Sequence, residues 1–241
     1  MATREIRDMP ADELYVRWQD DIETIKNSTV HLFTSRVRFR DIARWSRENP
    51  AFRNEPESAS DVFDWLTLLW GHDALLAIRR ELDETPTTIC LKQMLHEMEA
   101  RADVLTRRRY LAHIQPTDSP RIREFMNRDF DRWGAVRPLG AGDPLDDQLD
   151  PHLIRADRES LESGTAEAVE YANRIVAHRT RFAELQITLD RIHAAVDAIE
   201  PVMKKYYCLL TASSLVTSEA TFQFDWAAIF DVPWRFLSGA G

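Results

Sequence analysis

Glycine is scarce in this chain, seven in 241 residues, and three of the seven crowd into the segment GAVRPLGAGDP at Gly134, Gly140 and Gly142. With so few, no glycine-rich phosphate loop appears and a collagen-like repeat is excluded. Cysteine is scarcer still. Cys90 and Cys208 stand far apart with no C-x-x-C spacing, which excludes a disulfide framework and a zinc ribbon and leaves two ordinary reduced thiols. No stretch nears the ~18 consecutive apolar residues that a membrane span requires. The first residues, MATREIRDMPADEL, are charged where a signal peptide carries an apolar core, so the expectation is a cytoplasmic protein without a membrane partner. A basic excess is lacking as well, because 31 Lys and Arg face 40 Asp and Glu for a net charge of −9. A whole-protein field for nucleic acid is thereby excluded, and any such contact must be local. Lysine itself is nearly absent, all but four of the 31 cations being arginine. Arginine's planar fork suits phosphate, but codon bias in a GC-rich genome produces the same excess.

What is present is a folding composition, 44% hydrophobic and 29% charged. Residues from Ala11 to Asn49 repeat apolar side chains at helical spacing (Leu14, Trp18, Ile22, Ile25, then Val37, Ile42, Trp45), and Asn49-Pro50 ends the run. Ser58 or Ser60 can cap a helix reaching about Asp83. Within it DVFDWLTLLWGHDALLAI is apolar on nearly every face, which predicts a central, buried helix. Thr88 is the expected cap of CLKQMLHEMEA and Thr106 that of RRRYLAHI. Ser119-Pro120 and Asp150-Pro151 each place proline at a first helical turn. Gly164 is a candidate interruption before AEAVEYANRIVAH, and a last helix is expected from Thr188 to Ser213, bent at Pro201. No internal repeat and no period-2 strand is visible. The fold class is therefore all-α: one helical domain over residues 1–215 with a linker near 134–149, and an aromatic strap, 216–241, packed on the bundle. The expected centre sets Trp65, Leu69, Leu76 and Ile78 against Val196, Ile199 and Leu209.

The segment Tyr171-Ala-Asn-Arg-Ile-Val-Ala-His178 carries the chemistry of most interest. On an α-helix Glu167, Tyr171, Arg174 and His178 follow at steps of four, three and four and share one face. A histidine that titrates near neutrality beside a fixed cation suits metal-free phosphodiester cleavage. The imidazole moves a proton to or from a ribose hydroxyl or leaving oxygen, and the guanidinium neutralises phosphate charge. A surface histidine beside an Arg–Glu pair has the same spacing. Arg79 and Arg80 close the long apolar helix, where positive charge at a C-terminus is favoured, and an arginine there could also reach a cleft beside His178.

YANRIVAHRT resembles the signature helix of HEPN-type domains, whose motif is Arg, a polar residue often Asn, three residues, then His. The motif's His falls on His178, its Arg position on Asn173 and its Asn position on Arg174, so the basic and amide residues are exchanged. FDWLTLLWGHDALLAIRRELD, TICLKQMLHEM, LTRRRY and YYCLLTASS with DWAAIFDVPW extend the similarity to AbiU-like abortive-infection HEPN proteins over most of the chain. The resemblance implies a four-helix-type bundle that dimerises with a composite site, and an RNase of phage defence or of a toxin–antitoxin system with an antitoxin or defence partner. It implies His178, Arg174 and Asn173 as catalytic residues of a metal-independent endoribonuclease, with Tyr171, Arg179, Arg79 and Arg80 binding RNA, and no cofactor. The alternative is a catalytically silent helical module that binds RNA or protein.

A rival copy of the spacing lies at Arg108-Arg-Tyr-Leu-Ala-His113, in the usual register of Arg, four residues and His. Arg101, Arg107, Arg108 and Arg109, with Arg121 and Arg123, could form a local basic patch; arginines over acidic neighbours are the plainer reading. His72-Asp73 lacks the surrounding His and Asp of a metal phosphohydrolase, HEMEA lacks the second histidine of H-E-x-x-H, and no Glu-x-x-His pair exists, so no metal is expected.

Overall fold

The computed structural model describes residues 6–48, 56–115, 118–177, 186–213, 215, 225 and 228, with the backbone alone for 56–60 and 177. The long helix α1 (Ala11–Glu48) buries a stripe of Leu14, Trp18, Ile22, Ile25, Thr29, Leu32, Arg36 and Phe39, steps of three and four that keep one face inward, with Phe33 beside it. At roughly 1.5–3 kcal/mol per fully buried large side chain, that stripe is a principal source of stability. Helix α2 (Pro56–Glu81) packs along α1. Helix α3 (Leu91–Ala100) follows, then the short α4 (Arg107–Leu111) and α5 (Pro120–Arg132). Helix α6 (Pro151–Tyr171) and α7 (Leu189–Thr211) complete an all-α bundle, α6 lying against α3 and α7, and α7 against α1.

Most starts have the expected chemical cause. The Thr106, Ser119, Asp150 and Thr188 side chains each accept a hydrogen bond from a first-turn amide of α4, α5, α6 and α7. Thr88, however, does not cap α3. Cys90 occupies that place without a side-chain bond, and the buried Glu81 carboxylate takes the Leu91 amide at 3.3 Å instead. Helix α2 begins at Pro56, ahead of Ser58 and Ser60, because proline's fixed φ suits a first turn. Gly164 does not interrupt α6. A Cβ there would lie 2.6 Å from Ala198 Cβ, so the missing side chain lets α6 and α7 approach closely. Helix α7 continues through Pro201.

The expected linker is pinned to the bundle and carries a two-residue antiparallel ladder, β1 (Ala135–Val136) with β2 (Gln148–Leu149). Gly134 turns the chain at φ 96°, a conformation that side-chain-bearing residues rarely adopt, and the buried Asp147 binds Arg107 and Arg137. The α2 helix is not central. Ile78, Val196, Ile199 and Leu209 are buried as expected, but Trp65, Leu69 and Leu76 are 58%, 47% and 44% exposed. The helix lies on the rim, with Trp70, Ala74, Leu75 and Ile78 inward, because α1, α6 and α7 already fill the centre. Of the aromatic strap, Phe222, Phe224, Trp226, Phe230 and Trp234 lie outside the described residues.

Candidate functional site

The cleft of interest opens where the end of α2, the start of α3 and the end of α6 meet. Immediately after α6 the chain winds as a π-helix over Ala172–Ala177, the core of the signature segment. A π turn closes i→i+5 bonds, so each residue rotates less than in an α-helix and Arg174 falls behind the place that a continued α-helix gives it. Arg174 is thereby turned off the face expected to hold Glu167 and Tyr171, which remain four apart in the α-helix. Glu167 pairs with Arg191 of α7 at 3.4 Å, Tyr171 packs against the core, and Arg174 meets Glu170 at 3.2 Å. His178 and Arg179 lie outside the described residues.

The same rewinding turns Asn173 and Arg174 toward a cleft of about 600 Å³, whose wall also carries Arg79, Lys92, Glu162 and Glu170. Arg79 Nε donates to Asn173 Oδ1, tying the end of α2 to the signature segment. Arg79 makes no close ion pair among the described residues, although the pKa of Asp83, on the same wall, is lowered chiefly by hydrogen bonding from Thr85 and further by the Arg79 charge. Opposite, Lys92 is paired with Glu84 at 3.0 Å and Glu162 at 3.4 Å. Burial opposes its charge, yet the hydrogen bond to Glu84 and the Glu162 charge hold its pKa above the ordinary value. With Asp83 and Glu84 on the same wall the cleft is of mixed charge: Arg174 is paired with Glu170, Lys92 with Glu84 and Glu162, and Arg79 acts on Asp83. Arg80 takes no part: it donates to Ser28 Oγ at 2.6 Å and turns toward α1.

The rival pair is not brought together. Arg108 binds Asp143 at 3.0 Å and Asp146 at 2.8 Å, while His113, past the end of α4, lies 3.1 Å from the Tyr15 hydroxyl. Burial lowers the pKa of His113, which favours its neutral form. The expected basic patch is largely consumed in ion pairs. Arg101 is held by Asp103 and the Ile6 and Met9 carbonyls, Arg109 by Asp12, and Arg107 is buried between Asp131 and Asp147. His72-Asp73 is not a buried dyad either, since Asp73 meets His31 at 3.4 Å and both are exposed. Burial pushes the Cys90 thiol up to about 11 and raises that of Cys208, so neither is an activated nucleophile.

Sequence reasoning missed Lys92, Glu162 and Glu170, which become neighbours only when α3 and α6 pack. It also passed over Arg36, Arg38, Arg40, Arg44 and Arg47, whose crowding in RVRFRDIARWSR was the available signal for a second basic region.

Fold and cleft together define a helical-bundle protein with a mixed-charge crevice between helix ends. No protein-family model matches the chain, nor does any curated protein or solved structure.

Proposed function

We propose that this is a HEPN-like protein of bacterial defence or toxin–antitoxin type that cleaves RNA without a metal, using the cleft between α2 and the π-wound segment. The observation that carries the reading is the contact of Arg79 with Asn173 beside Arg174. The motif's arginine position holds Asn173, and Arg79 supplies a guanidinium next to it from another helix. In this mechanism Arg79 and Arg174 bind the phosphate, and their charge is worth most as the pentacoordinate state gathers negative charge. Asn173 orients the RNA or the attacking 2′-hydroxyl. His178, four residues beyond Arg174, moves the proton as general acid or base. Cleavage by the 2′-hydroxyl leaves a 2′,3′-cyclic phosphate. A homodimer and an antitoxin or defence partner belong to the same reading.

The carboxylates of Glu162 and Glu170, which oppose an RNA strand, favour the second reading of a silent binding module. RNA incubated with purified protein in EDTA separates the two. Cleavage is expected for wild type, its abolition in His178→Ala, and a loss of about 10²-fold in Arg79→Ala. Intact RNA with wild-type protein, or equal cleavage by all three proteins, removes the enzymatic reading.

A further inference from the structure

A second cavity lies where the C-terminal part of α1, the first half of α2 and the start of α7 meet, on a part of α2 well before Arg79. It has a volume of about 640 Å³, and among the described residues its wall includes Phe39, Phe63, Leu189, Arg40, Arg44 and His193. The size is that of a small-molecule site.

Its floor is aromatic. Phe39 stacks on Trp70 at 4.5 Å with the rings 6° apart, and Phe63 lies nearly parallel to Phe39 at 6.0 Å. His193 leans on Trp70 at 4.8 Å. Planar surfaces of this kind favour a flat, apolar partner.

Its rim is cationic. Arg40 is exposed and has no ion pair among the described residues, while Arg44 meets Asp41 at 2.7 Å. Arg47 lies on the same rim but is already engaged, and Asp41 and Asp190 are on the wall too, so Arg40 is the cation of the rim without an ion pair among the described residues, in a chain whose overall charge is −9. The wall also includes the first residues of the 23-residue helix α7, whose N-terminal amides add positive potential.

Polar atoms behind the floor lack partners. Of the six buried side-chain polar atoms without a hydrogen bond among the described residues, four belong to Thr67, Trp70, His193 and Arg36. Trp70 and His193 are in ring contact, Thr67 is one helical turn from Trp70, and Arg36 is close enough to His193 to depress its pKa. Burial is the larger cause of that depression, and Arg40 adds to it. Unpaired buried polar atoms are uncommon in native proteins, and of these four residues His193 lines the cavity while the others stand behind it.

From the aromatic floor, the exposed Arg40 on the rim and the unpaired His193 at the wall we infer that this cavity binds a phosphate-bearing nucleobase, either a free mononucleotide or the terminal nucleotide of a strand. The base lies on Phe63 and the phosphate on Arg40. The inference stands apart from the RNase reading, because it shares no residue with the α2–α6 cleft.

Calorimetric titration of the full-length protein with AMP, adenosine, inorganic phosphate and a 5′-phosphorylated RNA tetranucleotide tests it. AMP is expected to bind at least about tenfold more tightly than adenosine or phosphate, since both halves of the site are then engaged. Arg40→Ala and Phe63→Leu should each weaken AMP by about tenfold, and Arg79→Ala should leave it unchanged. Arg40 is exposed, so its variant keeps the wild-type melting temperature and reads binding alone. A tetranucleotide that binds more tightly than AMP identifies a strand end as the ligand; the reverse identifies a free nucleotide. No heat with any nucleotide at millimolar concentration, adenosine equal to AMP, or binding abolished by Arg79→Ala overturns the inference.

Discussion

Glu81 is 2% exposed, and its carboxylate serves three partners: the Ser28 hydroxyl at 2.7 Å, the Leu91 amide at 3.3 Å and the Arg80 guanidinium at 3.8 Å. It joins α1, α2 and α3 at one point, and it stands where Cys90 fails to cap α3. Burial raises its pKa above the ordinary value, and the Ser28, Leu91 and Arg80 contacts only partly oppose this. An acid whose folded pKa is raised contributes stability that is full below its unfolded pKa and is lost as pH rises through the folded value. The melting temperature of Glu81→Gln should therefore gain on that of wild type as pH rises from about 4 to 7, since glutamine keeps an acceptor and has no charge to bury. Glu81→Ala leaves the Leu91 amide unpaired and should cost about 1–3 kcal/mol by urea unfolding at neutral pH. A gap between wild type and Glu81→Gln that does not move with pH would show that burial does not govern this carboxylate.

Helix α6 passes through Gly164 because the neighbouring helix requires it. In isolation glycine costs a helix interior about 1 kcal/mol relative to alanine. Gly164→Ala recovers that propensity but sets its Cβ 2.6 Å from Ala198 Cβ, and atoms fixed to two backbones cannot step aside. Overpacking of about 1–3 kcal/mol exceeds the gain, so net destabilisation is expected. The double change Gly164→Ala with Ala198→Gly removes the clash and should recover most of the loss, which urea unfolding of both variants measures. If the single variant is more stable than wild type, propensity dominates and the close approach of α6 and α7 is not required. The π-wound segment after α6 is the other element-scale departure. Its wider turn gives the Asn173 and Arg174 side chains the cleft, where a continued α-helix directs Arg174 nearer to Glu167.

Across the whole molecule, charge and apolar surface are distributed unevenly. Many arginines are satisfied by neighbouring carboxylates, which is how an acidic chain holds so many cations without a basic field. On α2, Val62, Trp65, Leu68, Leu69 and Leu76 form an exposed apolar strip along roughly 20 Å of helix. The exposed His72 and Asp73 interrupt it before Leu76, and the homodimer of the proposed function would place its first part, Val62 to Leu69, at the interface. Sedimentation at micromolar concentration should show association for wild type and a monomer for Leu69→Glu, with folding stability changed by no more than about 0.5 kcal/mol. A wild-type protein that is monomeric throughout the range would overturn the dimer.

The helices themselves were legible from local chemistry. Apolar spacing in α1 and α7, and the capping of α4 to α7 by Thr106, Ser119, Asp150 and Thr188, depend on neighbours within one turn, so sequence alone determined them together with the all-α class. The side of α2 that is buried was not legible, because a helix apolar on nearly every face carries no moment to orient it. Packing against α1 put Trp70 inward and Trp65 outward. Nor did spacing reveal that Glu81 replaces a cap ten residues away, that the expected linker is pinned by Asp147, or that the signature segment leaves α-helical register. The meeting of Arg79 with Asn173, 94 residues apart, belongs to tertiary structure for the same reason: the sequence specifies each helix's own turns, whereas long-range neighbours are set by how the helices share one core.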